Sequence, residues 1–445
     1  MDAPRTRHGL ALLCACAVGV AAQGCQTEYD PPSLVNKLRV LGVRAEAPGI
    51  RLDAPSTLTP LVVGPDTDKA LCWGWAFCPF AWSRDGNFQC IDADVQVDLG
   101  TAATVSVGVA HVFQAMKNAD KVFKKLGLDQ PTRSGTVAGA GPDLACVPGG
   151  KAPDATAGLG GGGSVGGAAF GDIPEMYVLF TVGTPAAWGG TCPLDASTML
   201  SKPCPDRTRC LAGFKRLGLE LEESCGPFVP GAEPACTKAA RSCARKLVCG
   251  CDGKTYWNDC ERVAAQVSRR SAGACANRNP TLAGIRFGVA EVQEVAGEQL
   301  TVLKTDAEVR AATVAWPADV TPVVAPDTVW HLLPEFDPAD VETLGPSADP
   351  KKTKPDQETL LFSWYSTAGR FGRQRSTDAS ARSSLRAPVL DAGENERTVR
   401  VWVVVRDGRN GTDWLERRIM VRKGASSKGN PICATQAAAP GCPGR

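Results

Sequence analysis

The chain has 445 residues, enough for two or three domains that each bury a core. Its 49 basic and 47 acidic residues leave a formal charge of +2 and are spread along the chain, so nothing points to a nucleic-acid partner. Aromatics are only 6%, while 47 Gly and 33 Pro favour β-rich domains with long loops over helical bundles.

Arg5, Arg7 and His8 precede an apolar run over 10–22, too short to cross a bilayer and right for the core of a signal peptide. The run ends in Ala22-Gln23-Gly24-Cys25, which resembles the lipobox of bacterial lipoproteins. That resemblance implies removal of residues 1–24, diacylation of Cys25 and a protein anchored in the cell envelope, facing periplasm or cell surface, with the outer membrane expected. Setting aside Cys14, Cys16 and Cys25 leaves 16 of the 19 cysteines, an even number that suits an oxidised, exported protein.

Residues 25–36 then form a lipidated tether, and an N-terminal β-rich domain is expected over 37–224. Strands are predicted at 38–45, 58–63 and 95–99, divided by Pro, Gly and Asp turns. Between them, Cys72, Cys78 and Cys90 flank Trp73, Trp75, Phe77, Phe80 and Trp82. This stretch is read as a disulfide-stapled loop with its own small aromatic core, an exposed aromatic binding platform being the alternative. Apolar residues at Val109, Val112, Phe113, Met116, Val122, Phe123 and Leu126 predict a helix over 109–126 with a lysine-rich solvent face. Residues 134–171 read as a flexible Gly-rich insertion. The Gly162-Gly-Ser164-Val-Gly166 match to a nucleophile elbow there lacks a leading strand and a following helix. A strand follows at 176–182, and Cys192, Cys204, Cys210 and Cys225 mark a loop-rich region.

Cys236, Cys243, Cys249, Cys251, Cys260 and Cys275 crowd one short stretch, a density that reads as a disulfide scaffold. The run Val248-Cys-Gly-Cys-Asp-Gly-Lys-Thr-Tyr-Trp-Asn-Asp-Cys260 resembles the central signature of Kazal-type serine-protease inhibitor domains, in the Cys-x-Cys variant of bacterial members. The resemblance covers residues 225–276 and implies a helix on a three-stranded sheet, held by three disulfides. It further implies a protease-contacting loop between Cys243 and Cys249, with Arg245 filling the specificity pocket of a trypsin-like serine protease and Lys246 following the scissile bond. Asn258 matches the asparagine that braces this loop, and Tyr256 the tyrosine packed beneath it. Cys251 takes the place of the family's missing fifth cysteine, so the implied pairs are Cys236–Cys251, Cys243–Cys260 and Cys249–Cys275. The loop's five residues are fewer than inhibitory members commonly carry. The helix is expected over 259–267, with Val263, Ala264 and Val267 facing in.

A C-terminal domain is expected over 277–424, with strands at 281–289, 299–303, 312–316, 360–365, 399–405 and 414–421. The Arg406-Asp-Gly-Arg-Asn-Gly-Thr412 segment predicts an antiparallel hairpin turn. Residues 425–445 read as a tail closed by Cys433 and Cys442. His111, on the predicted helix, and His331, in a Pro-rich loop, have no acidic or cysteine neighbours at ligand spacing, so no metal, no cofactor and no catalysis are expected. The chain is thus expected to be mainly β, with two β-sandwich (immunoglobulin-like) domains flanking a small disulfide-rich Kazal-like α+β module. Its function is expected to be serine-protease inhibition from a lipid anchor, or a structural or adhesion role in which the module is a stapled spacer.

Overall fold

Alternating burial along short β-branched and aromatic runs builds both halves of a chain that is mainly β. The computed structural model describes residues 32–65, 67–79, 81–84, 87–90, 92–125, 176–201, 208–220, 225–229, 247–272, 275, 277–295, 298–301, 305–345, 356–427, 429–435 and 442. The Gly-rich stretch 134–171, residues 1–24 expected as a signal peptide, and Cys25 lie outside them.

In the N-terminal half the elements are β1 (Arg39–Ala45), β2 (Gly49–Arg51), β3 (Ser56–Val63), β4 (Cys72–Cys78), β5 (Ala81–Arg84), β6 (Asn87–Cys90), β7 (Val97–Gly100), β8 (Val105–Val107), α1 (Val109–Lys125), β9 (Met176–Gly183), α2 (Ala196–Ser201) and β10 (Cys210–Glu220). A three-stranded sheet, β1-β3-β8, and a five-stranded sheet, β2-β10-β9-β4-β7, share one core. Val43, Leu58 and Val107 meet Trp75, Phe180 and Leu217 there.

The stretch around Cys72 is therefore not a loop but the strand β4, buried at every position. Its two faces differ. Trp73, Trp75 and Phe77 point into the shared core, whereas Gly74 lies under α2, where an added Cβ would stand 2.8 Å from Met199. A strand covered on both faces loses its hydrophobic alternation and no longer looks like a half-buried strand. Burial of Trp73, Trp75 and Phe77 also removes them from any exposed platform. The disulfides split accordingly: Cys78–Cys90 is local, and Cys72–Cys192 spans 120 residues. A second correction concerns the loop-rich region after Cys192, which contains the eleven-residue strand β10, paired with β9 over its first eight residues and with β2 over its last three. The predicted strand at 95–99 is instead a 3-10 turn at Ala93–Val95 followed by β7.

Helix α1 forms as expected, but its inward stripe is Val112, Ala115, Ala119 and Val122. Phe113 and Met116 are exposed, because the stripe that the sheet covers is narrower than the apolar set.

After the cysteine-rich segment come β14 (Leu282–Val289), the hairpin β15 (Val292–Val295) and β16 (Glu298–Thr301), α4 (Asp306–Ala312), β17 (Val314–Ala315), β18 (Val323–Val324) and β19 (Val329–Phe336). The hairpin β20 (Thr343–Gly345) and β21 (Asp356–Gln357) leads to β22 (Leu361–Ser366), β23 (Arg370–Phe371), β24 (Arg375–Thr377), β25 (Ser383–Arg386), β26 (Glu396–Arg406), β27 (Thr412–Arg422) and α5 (Pro431–Thr435). Sheets β17-β14-β19-β25-β23 and β18-β27-β26-β22-β24 enclose a second core containing Phe287, Trp330, Trp364, Val401 and Ile419. His331 is buried on β19 rather than placed in a loop, since the prolines around it fall within or beyond a continuous strand. The region 312–316 is the end of α4, capped by a Thr305–Glu308 box, and the short β17. The C-terminal segment is anchored: Ile432 enters the second core, and Cys433–Cys442 closes the end.

The two sheet pairs touch. Val401–Val405 on β26 is buried without interruption because both faces are covered. Val399, Val401, Val403 and Val405 face the C-terminal core, while Trp402 and Val404 meet Val35, Leu41 and Val63 from the N-terminal half. Arg44 pairs with Asp413 at 2.9 Å and lies over the Trp414 ring. Ser33 and Val35 exchange backbone hydrogen bonds with Ser366.

Candidate functional site

The cysteine-rich segment builds a small sheet, β12-β11-β13, from β11 (Val248–Gly250), β12 (Thr255–Tyr256) and β13 (Arg269–Ala272), with α3 (Asp259–Ala264) between the last two. The turn after β11 is set by glycine. Gly253 sits at φ +78°, and its N–H donates to the Gly250 carbonyl at 2.9 Å. At Gly250 itself a Cβ would fall 2.6 Å from Asp252 and 2.7 Å from Tyr256, so the turn, the sheet and the Tyr256 ring close on a position without a side chain.

Tyr256 lies opposite Val248 and its hydroxyl donates to Asp252 Oδ2 at 2.8 Å. Burial, helped by the Asp252 hydrogen bond and charge, pushes its pKa up to about 12. Asn258 is the N-cap of α3: its Oδ1 accepts from the Glu261 N–H at 3.0 Å. Glu261 returns the favour to the Trp257 N–H at 3.3 Å. The expectation of Val263, Ala264 and Val267 as the inward set is corrected: Arg262 is the fully buried residue of α3, and Ala264 is exposed. Arg262 survives burial because its Nε meets Asp259 at 2.7 Å and its guanidinium donates to the Val267 carbonyl.

Among the described residues, two disulfides with both cysteines in view staple this unit. Cys249–Cys275 forms as the resemblance implied. Cys251, however, pairs with Cys225 rather than with Cys236. Cys251 follows the central strand, and the Cys225 Cα lies 5.6 Å from its own, within the reach of a disulfide. Cys260 is also disulfide-bonded. Cys236, Cys243, Arg245 and Lys246 lie outside the described residues, so the structure brings Tyr256 and Asn258 together with Cys249, Cys251, Cys260 and Cys275 only.

The exit of the unit is held by the β26–β27 hairpin. Arg409 donates to the Cys275 carbonyl at 2.7 Å and pairs with Glu342 at 2.9 Å. Asn277 Nδ2 donates to Asp407 Oδ2 at 2.8 Å and to the Arg409 carbonyl at 2.9 Å. Asp407 in turn accepts the Arg409 and Gly411 N–H groups at 2.7 and 2.9 Å, which folds the turn around its own carboxylate. Asn279 accepts from the Thr412 N–H and donates to the Ala45 and Glu46 carbonyls. One hairpin therefore ties the cysteine-rich unit to both sheet pairs. These positioning residues carry no motif; their only sequence signal is the Asp-Gly and Asn-Gly turn between β26 and β27.

His111 accepts the Gly108 N–H through Nδ1 at 3.1 Å, a role at the start of α1. Among the described residues no cluster of His, Cys, Asp and Glu could hold a metal ion, and no helix is long and apolar enough to cross a membrane.

No protein-family model matches the chain, and no curated protein matches it. Among solved structures it is similar to a nucleoside hydrolase-related hypothetical protein from Saccharophagus degradans, at 14% identity and a TM-score of 0.16. That alignment covers 34% of this chain and 26% of the other, and carries no weight for fold or function.

Proposed function

We propose that the chain is an exported, lipid-anchored cell-envelope protein of non-enzymatic, structural type. In this reading a Kazal-like module is the disulfide-stapled joint between two β-sandwich-like units, the second of them immunoglobulin-like, and Cys25 carries the lipid. The observation that supports it is the grip on the module's exit: Arg409 on the Cys275 carbonyl and Asn277 on Asp407. A module that only displayed a loop would need no such attachment. Two staples around a three-stranded sheet give the rigidity a joint requires.

Serine-protease inhibition is the second reading, favoured by the basic Arg245 and Lys246 at the position where the family fills a trypsin-like pocket. Preorganisation would supply affinity in that mode, with Tyr256 and Asn258 as braces. Titrating trypsin-like, chymotrypsin-like and subtilisin-like proteases with the oxidised full chain separates the two. The joint predicts no stoichiometric inhibition. Tight inhibition of a trypsin-like enzyme that disappears in Arg245→Ala would replace it with the inhibitor.

A further inference from the structure

Between the two sheet pairs runs a cleft of about 1010 Å³, at the upper end of the volume typical of small-molecule sites. Its charged lining is one-sided. Lys37, Arg39, Lys215, Arg216, Arg375 and Arg406 line it, and no Asp or Glu does. The whole chain is nearly balanced, at 49 basic to 47 acidic residues, so a lining with six basic residues and no acidic one is a local departure and not a reflection of composition.

The cations come from both walls. Lys37 and Arg39 belong to the β1 segment and Lys215 and Arg216 to β10, while Arg375 and Arg406 project from β24 and β26 of the opposite sheet pair. Among the described residues, Lys37, Arg39, Lys215, Arg375 and Arg406 form no ion pair with a carboxylate. What they do contact is neutral. Arg39 Nη1 donates to the Pro32 carbonyl at 2.6 Å, Arg406 donates to the Leu41 carbonyl, and Lys215 donates to the Asn410 carbonyl and lies 3.5 Å from Thr412 Oγ1. One further donor on a lining residue, Arg39 Nε, is buried without an acceptor. Asp407 attracts Lys215, but the other like charges facing each other across low-dielectric walls raise the local potential and concentrate anions.

We propose that this cleft binds a multivalent anion, a small molecule carrying two or more carboxylate or phosphate groups, held between the two sheet pairs. More than one anionic group is required because a single charge reaches one wall only. The site is independent of the Kazal-like reading, since none of its lining residues belongs to the cysteine-rich unit. Lys215 adds a signature. Burial, with Arg406 and Arg216 nearby and against the pull of Asp407, pushes its pKa down to about 8, and a bound anion beside it further favours the charged ammonium, so binding near that pH takes up a proton.

The test is calorimetric titration of the oxidised full chain, at low ionic strength, with citrate and with tripolyphosphate. One-to-one binding of at least one of them is expected, with the preference assigning carboxylate or phosphate. Replacing the exposed pair Lys37→Gln and Arg375→Gln should weaken it by about tenfold or more, the effect of losing roughly 1.4 kcal/mol of interaction. Replacing Lys117→Gln and Lys121→Gln, exposed on α1 outside the cleft, should leave it unchanged. The proposal is overturned if neither anion binds, if the cleft variant binds like the parent, or if the α1 variant loses as much.

Discussion

Glu358 is 4% exposed, and neither of its carboxylate oxygens has a hydrogen-bond partner. Burial, with the nearby charge of Asp407, pushes its pKa up to about 8, against the opposing pull of Arg409 at 3.8 Å. The folded protein therefore holds a proton on Glu358 that the unfolded chain releases above its ordinary value of 4.5. Stability then falls as pH rises from 4.5 to about 8, because the folded state binds the extra proton throughout that window. Glu358→Gln keeps the shape and has no proton to lose, so its urea midpoint should vary less with pH than the parent's across this range. Equal slopes would assign the pH dependence to other groups. Sequence patterning could not have singled out Glu358, since its environment comes from Glu342, Asp407 and Arg409, all distant along the chain.

At the scale of elements, the β26–β27 hairpin shows how far a turn motif reads. Asp407-Gly408 and Asn410-Gly411 announced a tight connection, and Gly408 and Asn410 do take positive φ angles of 80° and 86°. What the turn does besides reversing the chain depends on Asp407. Its carboxylate holds two backbone N–H groups of the turn and the Asn277 amide of the segment leaving the cysteine-rich unit. Asp407→Ala strands these buried donors and should cost about 3 kcal/mol. Chemical denaturation measures the loss, and hydrogen exchange should show it spreading from the hairpin to Cys275 and Asn277. A change below about 0.5 kcal/mol, the range of ordinary surface substitutions, would mean that the hairpin is held by other contacts. Strand β4 carries the opposite lesson: Cys72–Cys78 looked like a loop because its aromatic face and its small-residue face are both covered.

For the whole molecule, the proposed anchor would govern where the chain acts. If Cys25 carries lipid, Cys25→Ser should abolish labelling by radioactive palmitate and shift the protein from the membrane to the soluble fraction of lysed cells. Unchanged labelling would remove the anchor from the proposed function while leaving the cationic cleft and the joint as they are. The apolar contact of Val35, Leu41 and Val63 with Trp402 and Val404 joins the two sheet pairs. Burying side chains of this size stabilises by about 1.5–3 kcal/mol each, enough for the cleft between the pairs to keep its shape.

From residue order alone came the mainly β character, most strand positions, helix α1, the hairpin at 406–412 and the closing Cys433–Cys442 bond; the Cys249–Cys275 staple came from the family resemblance. Each rests on local periodicity, on turn residues or on a short cysteine motif, and all of these are properties of neighbours in sequence. Only the tertiary structure decided that Cys225 rather than Cys236 meets Cys251, that Trp73 and Trp75 are core, and that six basic residues from four separate stretches of chain line one cleft. Those depend on which surfaces are brought face to face, across 26 residues for Cys225–Cys251 and across far longer stretches for the tryptophans and the cleft. Spacing along the chain carries no record of that.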